Sequence, residues 1–181
     1  MNRNKKVALG VGATIIILYM LRKKLASALN STAFGTVSDK LFNLISGFEG
    51  FYAVPYWDRT GYSVGYGSQY NWDAKRPVQK TDIIDKDTAK RWLLAEAQQN
   101  FDYVNSKVNV PINDNQVLAL SSFAYNVGNG AFESSTLLDL LNSGADINTV
   151  AAQFDRWTKS GGVVNKGLVA RRAAEKKLFL S

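Results

Sequence analysis

LFNLISGFEGFYAVPYWDRTGYSVGYG, residues 41–67, changes texture at its middle, and that change decides the fold. Leu41, Phe42, Leu44, Ile45 and Phe48 recur at helical spacing, with Ser38 placed to cap the start and Gly50 to stop the end. From Tyr52 the run turns to aromatics, Val and Gly, and Asp58-Arg59-Thr60-Gly61 reads as the turn of a small antiparallel sheet. Downstream the pattern is helical. Residues 87–106 carry Trp92, Leu93, Ala95, Phe101 and Val104 as apolar positions. Pro111 and Asn113 break the chain and cap a helix through Leu118, Leu120, Phe123 and Ala124, ended near Gly128. Ser135 opens a short helix that stops at Asn142-Ser143-Gly144, and residues 146–157 and 167–180 supply two more. A short sheet near the start followed by helices gives an α+β class.

Outside this frame, composition removes whole classes of chemistry. The chain has 181 residues, enough for one domain, and 46% hydrophobic content, enough for a core. It has no Cys and no His, which excludes disulfide scaffolds, thiol enzymes, Ser-His-Asp triads and typical zinc hydrolase sites. Carboxylates are left as the proton handlers. The net charge of +7 is not a nucleic-acid signal once mapped. Residues 1–24 hold six basic side chains and no acid, leaving 16 basic and 15 acidic residues elsewhere. A second basic group, from Arg156 to Lys177, reads as a solvated helix face, and would also favour an anionic wall polymer.

The N-terminal basic residues flank an uncharged run from Val7 to Leu21. Fifteen helical residues span about 22 Å, short of a roughly 30 Å hydrocarbon core, and snorkelling of Lys6 and Arg22 would close the gap. The expectation is a membrane anchor over residues 1–24, a tether over 25–36 and a globular domain over 37–181. A cleaved signal is the rival, disfavoured because the run ends in Arg22-Lys23-Lys24.

Two carboxylates stand out. Glu49 falls in the last turn of an apolar helix, where the negative end of the macrodipole disfavours it. Phe48 and Phe51 would strip water from it and favour its protonated form. Asp58, nine residues on, is by itself an ordinary turn aspartate. Facing Glu49 across a cleft, it would complete the two-carboxylate arrangement of glycoside hydrolysis. Ser63 has no His to activate it, so positioning a water is the role open to it.

Phe48-Glu49-Gly50-Phe51, Tyr56-Trp57-Asp58 and Ser63-Val64-Gly65-Tyr66-Gly67 resemble the active-site segment of phage-type lysozymes, the muramidases of glycoside hydrolase family 24. Residues 116–128, 131–138 and 167–175 resemble the family's later helices, in the same order, so the resemblance covers residues 37–180. It implies a lysozyme-like fold with a small sheet beside the active site and a mainly helical lobe. It implies hydrolysis of the β-1,4 bond between N-acetylmuramic acid and N-acetylglucosamine in peptidoglycan, without metal or cofactor. Carried over by position, Glu49 would be the general acid, Asp58 the group that activates water and Ser63 the group that positions it. Tyr125 and Ser135 would line the sugar cleft, and either Arg171 or Arg172 would approach Glu49.

Two positions depart from the family pattern. Val64 stands where a threonine is usual and Ser63 arrives one residue early, as a shortened hairpin turn would produce. Ser68 replaces a common histidine. The expected partners are peptidoglycan strands and, through residues 7–21, a membrane; nucleic acid is not expected, and the domain is expected to act as a monomer. A lytic transglycosylase and an inactive wall-binding protein on the same fold are the alternatives.

Overall fold

The structure, a computed structural model, describes residues 38–181. The expected anchor over residues 1–24 and tether over 25–36 lie outside the described residues. Among the described residues no helix is long and apolar enough to cross a membrane.

A first helix, α1, runs through residues 38–49 and is pinned by Leu41 and Ile45, both fully buried. Ser38, expected as its cap, is itself helical. Gly50 ends the helix at φ +68, a conformation that costs a residue with a Cβ about 1–2 kcal/mol. The chain then enters an antiparallel hairpin, β1 (Tyr52–Asp58) and β2 (Gly61–Gly65), with Asp58 opposite Gly61 and Tyr56 opposite Ser63. Two further two-residue pairs, β3 (Tyr70–Asn71) with β4 (Arg76–Pro77) and β5 (Lys159–Ser160) with β6 (Val163–Val164), were not expected from the sequence. Such short ladders lack the alternation that makes a strand readable.

Helix α2 (Lys86–Lys107) starts at the N-cap Asp85, whose side chain accepts from Thr88 N at 2.8 Å, and buries Trp92, Leu93, Ala97, Phe101 and Val104. It packs against both β2 and α3 and so joins the sheet to the helices. Helix α3 (Asp114–Val127) opens on a full capping box between Asn113 and Gln116. It buries every residue from Val117 to Ala124, as a helix surrounded by others must. Phe123 at its centre meets Phe132, Phe154 and Trp157 edge-on, 5.3–6.4 Å away. Two short helices follow, α4 (Asn129–Glu133) and α5 (Thr136–Asn142), the latter capped by Ser135 as expected. The helix expected over residues 146–157 is instead α6 (Ile147–Ala151) tightening into a 3-10 turn over Ala152–Arg156. That turn carries Phe154 onto Phe123 and Phe179. Helix α7 (Lys166–Phe179) closes the domain against α3. The result is a small sheet flanked by a helical lobe, the α+β arrangement expected.

Candidate active site

Helix α1 stops at Glu49 because Gly50 turns the chain away, so the carboxylate is presented at a helix end rather than along its side. Its side chain is 25% exposed, and Phe48 beside it 38%. What holds it is Arg171, on the buried face of α7, whose Nη1 donates to Glu49 Oε1. The remaining edges of the same guanidinium are taken from behind. Nε donates to Glu175 Oε1 at 3.1 Å and Nη2 to the Ser122 carbonyl at 3.2 Å. The rings of Phe48 and Tyr125 lie 5.6 and 5.9 Å from its central carbon. Arg172 turns the other way, to Asn126 and Glu175. Arg171 is therefore the cation at Glu49. Glu175, fully enclosed, has its carboxyl pushed up by burial, against the opposing pull of the two guanidinium groups.

Glu49 and Asp58 line one cleft of about 470 Å³, together with Tyr125. Asp58 ends β1, with a half-exposed side chain and its backbone carbonyl accepting from Gln69 Nε2 at 3.4 Å. Tyr56 lies in the same wall, its phenol pushed up first by burial and then by the charges of Asp58 and Glu49. The structure does not bring Ser63 or Ser135 to that wall. Ser63 faces Tyr56 in the hairpin register, is fully buried, and its hydroxyl has no well-aligned partner among the described residues. Ser135 Oγ donates to the Phe132 carbonyl at 2.7 Å and caps α5, beside a separate 260 Å³ depression that includes Arg156 and Trp157.

A third carboxylate of the cleft escaped the sequence reading. Glu96, on α2, accepts from Trp72 Nε1 at 3.2 Å and from the Tyr125 hydroxyl at 3.3 Å. Burial pushes its carboxyl up, and the hydrogen bonds from Ser68, Trp72 and Tyr125 oppose the shift. The same burial, with Glu96 beside it, holds the Tyr125 phenol well above its ordinary range. One signal was present: Glu96 shares the inward stripe of α2 with Leu93, Ala97 and Asn100, an odd place for a carboxylate. Ser68, the position that departs from the family pattern, is one of the residues that meet it.

The rest of the lining is four amides, Gln69, Gln99, Asn100 and Asn126, with Tyr66, Tyr70 and Gly67. Among the described residues no Lys or Arg lines the cleft, which disfavours a polyanion. Aromatic faces and amides beside carboxylates suit a neutral polymer rich in hydroxyl and acetamido groups. Among the described residues, no three carboxylates come close enough to hold a metal ion.

A family model described as phage lysozyme matches residues 46–175. The endolysin of Bacillus phage PZA is 44% identical over 150 residues, which are 80% of this chain and 55% of that protein. The SAR-endolysin of Enterobacteria phage PA-2 is 32% identical over 172 residues, 88% of this chain and 95% of the relative. Among solved structures, an endolysin from the Escherichia coli O157:H7 phage FAHEc1 superposes with a TM-score of 0.70 at 30% identity, over 78% of this chain and 91% of its own. The chain spans little more than half the length of the Bacillus phage endolysins it matches, 55% and 54%.

Proposed function

Because the chain belongs to the phage lysozyme family, we propose that it is a muramidase that hydrolyses the β-1,4 bond between N-acetylmuramic acid and N-acetylglucosamine in peptidoglycan. The observation that carries this reading is the pairing of Glu49, held by Arg171, with Asp58 in one cleft of tyrosines and amides. Glu49 gives its proton to the leaving oxygen, and Arg171, already bonded at Oε1, stabilises the carboxylate that remains. Asp58 activates the attacking water from the hairpin side. Ser63 positions that water at one remove, through the Tyr56 phenol that its buried hydroxyl meets. Tyr125 orients the sugar between Arg171 and Glu96. Ser135, which caps α5 beside a separate depression, would meet the glycan only outside the main cleft.

Digestion of purified peptidoglycan by the full chain tests this, with the released fragments read by mass. Reducing muramic ends, absent with Glu49→Gln, are expected; anhydro-muramic ends would replace hydrolysis by transglycosylation, and intact wall would overturn the activity. The wall faces a membrane, and the basic-flanked run over residues 7–21 is the natural tether of a monomeric domain working there. Removing residues 1–24 should move the protein from the membrane fraction to the soluble one. An unchanged distribution would remove the tether from the proposal.

A further inference from the structure

Strand β1 carries a second aromatic feature that the two-carboxylate mechanism does not use. From Tyr52 to Tyr56 the exposed side chains alternate, Tyr52, Val54 and Tyr56 at 53%, 59% and 36%, while Trp57 beyond them, 64% exposed, meets Tyr62 edge-on instead. The rings of Tyr52 and Tyr56 sit 4.8 Å apart and tilted at 54°. Only Tyr56 belongs to the cleft wall; Tyr52 lies beyond it, its Cε2 3.7 Å from where a Cβ on Gly50 would stand, one residue from Glu49. The register of the hairpin shifts between Tyr52 and Tyr56, where four residue steps on β1 face two on β2, so the strand bulges between the two rings. A contiguous apolar row is thereby turned to solvent from the edge of the cleft outward, with no side chain of the described core against it.

We propose that Tyr52, with Val54 and the outer edge of Tyr56, forms an additional sugar-binding subsite on which a pyranose ring of the glycan strand stacks outside the cleft. The proposal rests on the muramidase reading and extends it. A polymer cannot end at the cleft mouth; a strand that leaves the Glu49–Asp58 gap past Tyr56 next meets Tyr52. One face of a pyranose ring is lined by C–H groups, and it matches a phenol face as an apolar surface whose hydroxyl rim stays in water. Two tilted rings present a shallow trough rather than a flat plate, which suits one ring and its glycosidic oxygen. Neither ring carries a charge, in keeping with a neutral glycan.

The test uses the full chain and its Tyr52→Ala and Tyr52→Trp variants. Binding of N-acetylglucosamine trimers and hexamers is measured by calorimetry, and cleavage of purified peptidoglycan alongside it. Tyr52→Ala should weaken hexamer binding roughly tenfold, leave trimer binding unchanged and raise KM more than it lowers kcat. Tyr52→Trp, which keeps the stacking face, should restore hexamer binding. Because Tyr52 is exposed, the melting temperature should not move. Wild-type hexamer affinity in Tyr52→Ala, or equal loss for trimer and hexamer, overturns the outer subsite while leaving the muramidase standing. A wild-type chain that releases no fragments from peptidoglycan overturns both.

Discussion

Replacing Arg171 by Met separates what holds the domain together from what holds the candidate acid. The guanidinium meets three polar residues, and they are unequal in burial. Glu175 and the Ser122 carbonyl lie behind it in the core, whereas the Glu49 side chain is 25% exposed. Removing one partner of a buried pair costs about 3–5 kcal/mol, while an ion pair open to solvent is worth at most about 1 kcal/mol. Glu175 keeps Arg172 as a counter-charge, which places Arg171→Met at the lower end, about 3 kcal/mol. For a domain of this size that is a fall of roughly 10 °C in the melting temperature. Glu49→Gln keeps an amide oxygen to accept from Arg171 and loses only the charge of a part-buried pair, so it should cost about 1–2 kcal/mol. The activities should not follow the stabilities. Both variants should lose cleavage: Glu49→Gln nearly all of it, and Arg171→Met roughly a hundredfold through a misplaced carboxylate. Arg171→Lys keeps the charge but has one nitrogen where three were used, so it should recover only part of either quantity. Urea titrations followed by tryptophan fluorescence give the stabilities, and peptidoglycan cleavage well below each midpoint gives the activities. If Glu49→Gln unfolds as readily as Arg171→Met, or Arg171→Met cleaves at the wild-type rate, the division of labour assigned to this guanidinium is wrong.

Two buried-edge carboxyls should bend the pH dependence of stability in opposite directions. Asp82 is held below the usual carboxylate range by the two-pronged contact with Arg76 at 2.7 and 2.9 Å, so its stabilisation is present above the unfolded value of about 3.9 and is lost as pH falls. Asp82→Asn should flatten the acid limb of a urea-stability profile below about pH 4.5, and an unchanged limb would refute the assignment. Glu96 is pushed up by burial, so stability should decline as pH rises above the unfolded value of about 4.3 and through the folded one. Glu96→Gln should remove that decline; a variant with the wild-type slope would show that Glu96 does not titrate there. Gly65 sits at φ +69 with Ala89 Cβ 2.9 Å from any Cβ placed on it. Gly65→Ala should therefore destabilise by about 2–4 kcal/mol in the same titration, and a neutral result would mean that β2 and α2 separate at little cost.

What the sequence made readable and what it hid divide along a physical line. Glu49 was conspicuous because its oddity is local: a carboxylate in the last turn of an apolar helix, stopped by a glycine. The caps at Asn113 and Ser135 were readable for the same reason, since a cap is a matter of three or four residues. The choice between Arg171 and Arg172 was not local. Adjacent residues on a helix point about 100° apart, and only the placement of α1 against α7 decides which of them meets Glu49. Ser135 shows the converse, for its capping role was legible while the separate depression it lines was not. Glu96 is the sharpest case. Its partners come from Trp72, 24 residues before it, and Tyr125, 29 residues after it, on elements whose packing sequence spacing does not fix. A lone Glu on the inward stripe of a helix is therefore a prompt to ask which donors the fold will bring to it. Here the answer places a third carboxylate across Tyr125 from Arg171, and the electrostatics of the cleft are those of three carboxylates rather than two.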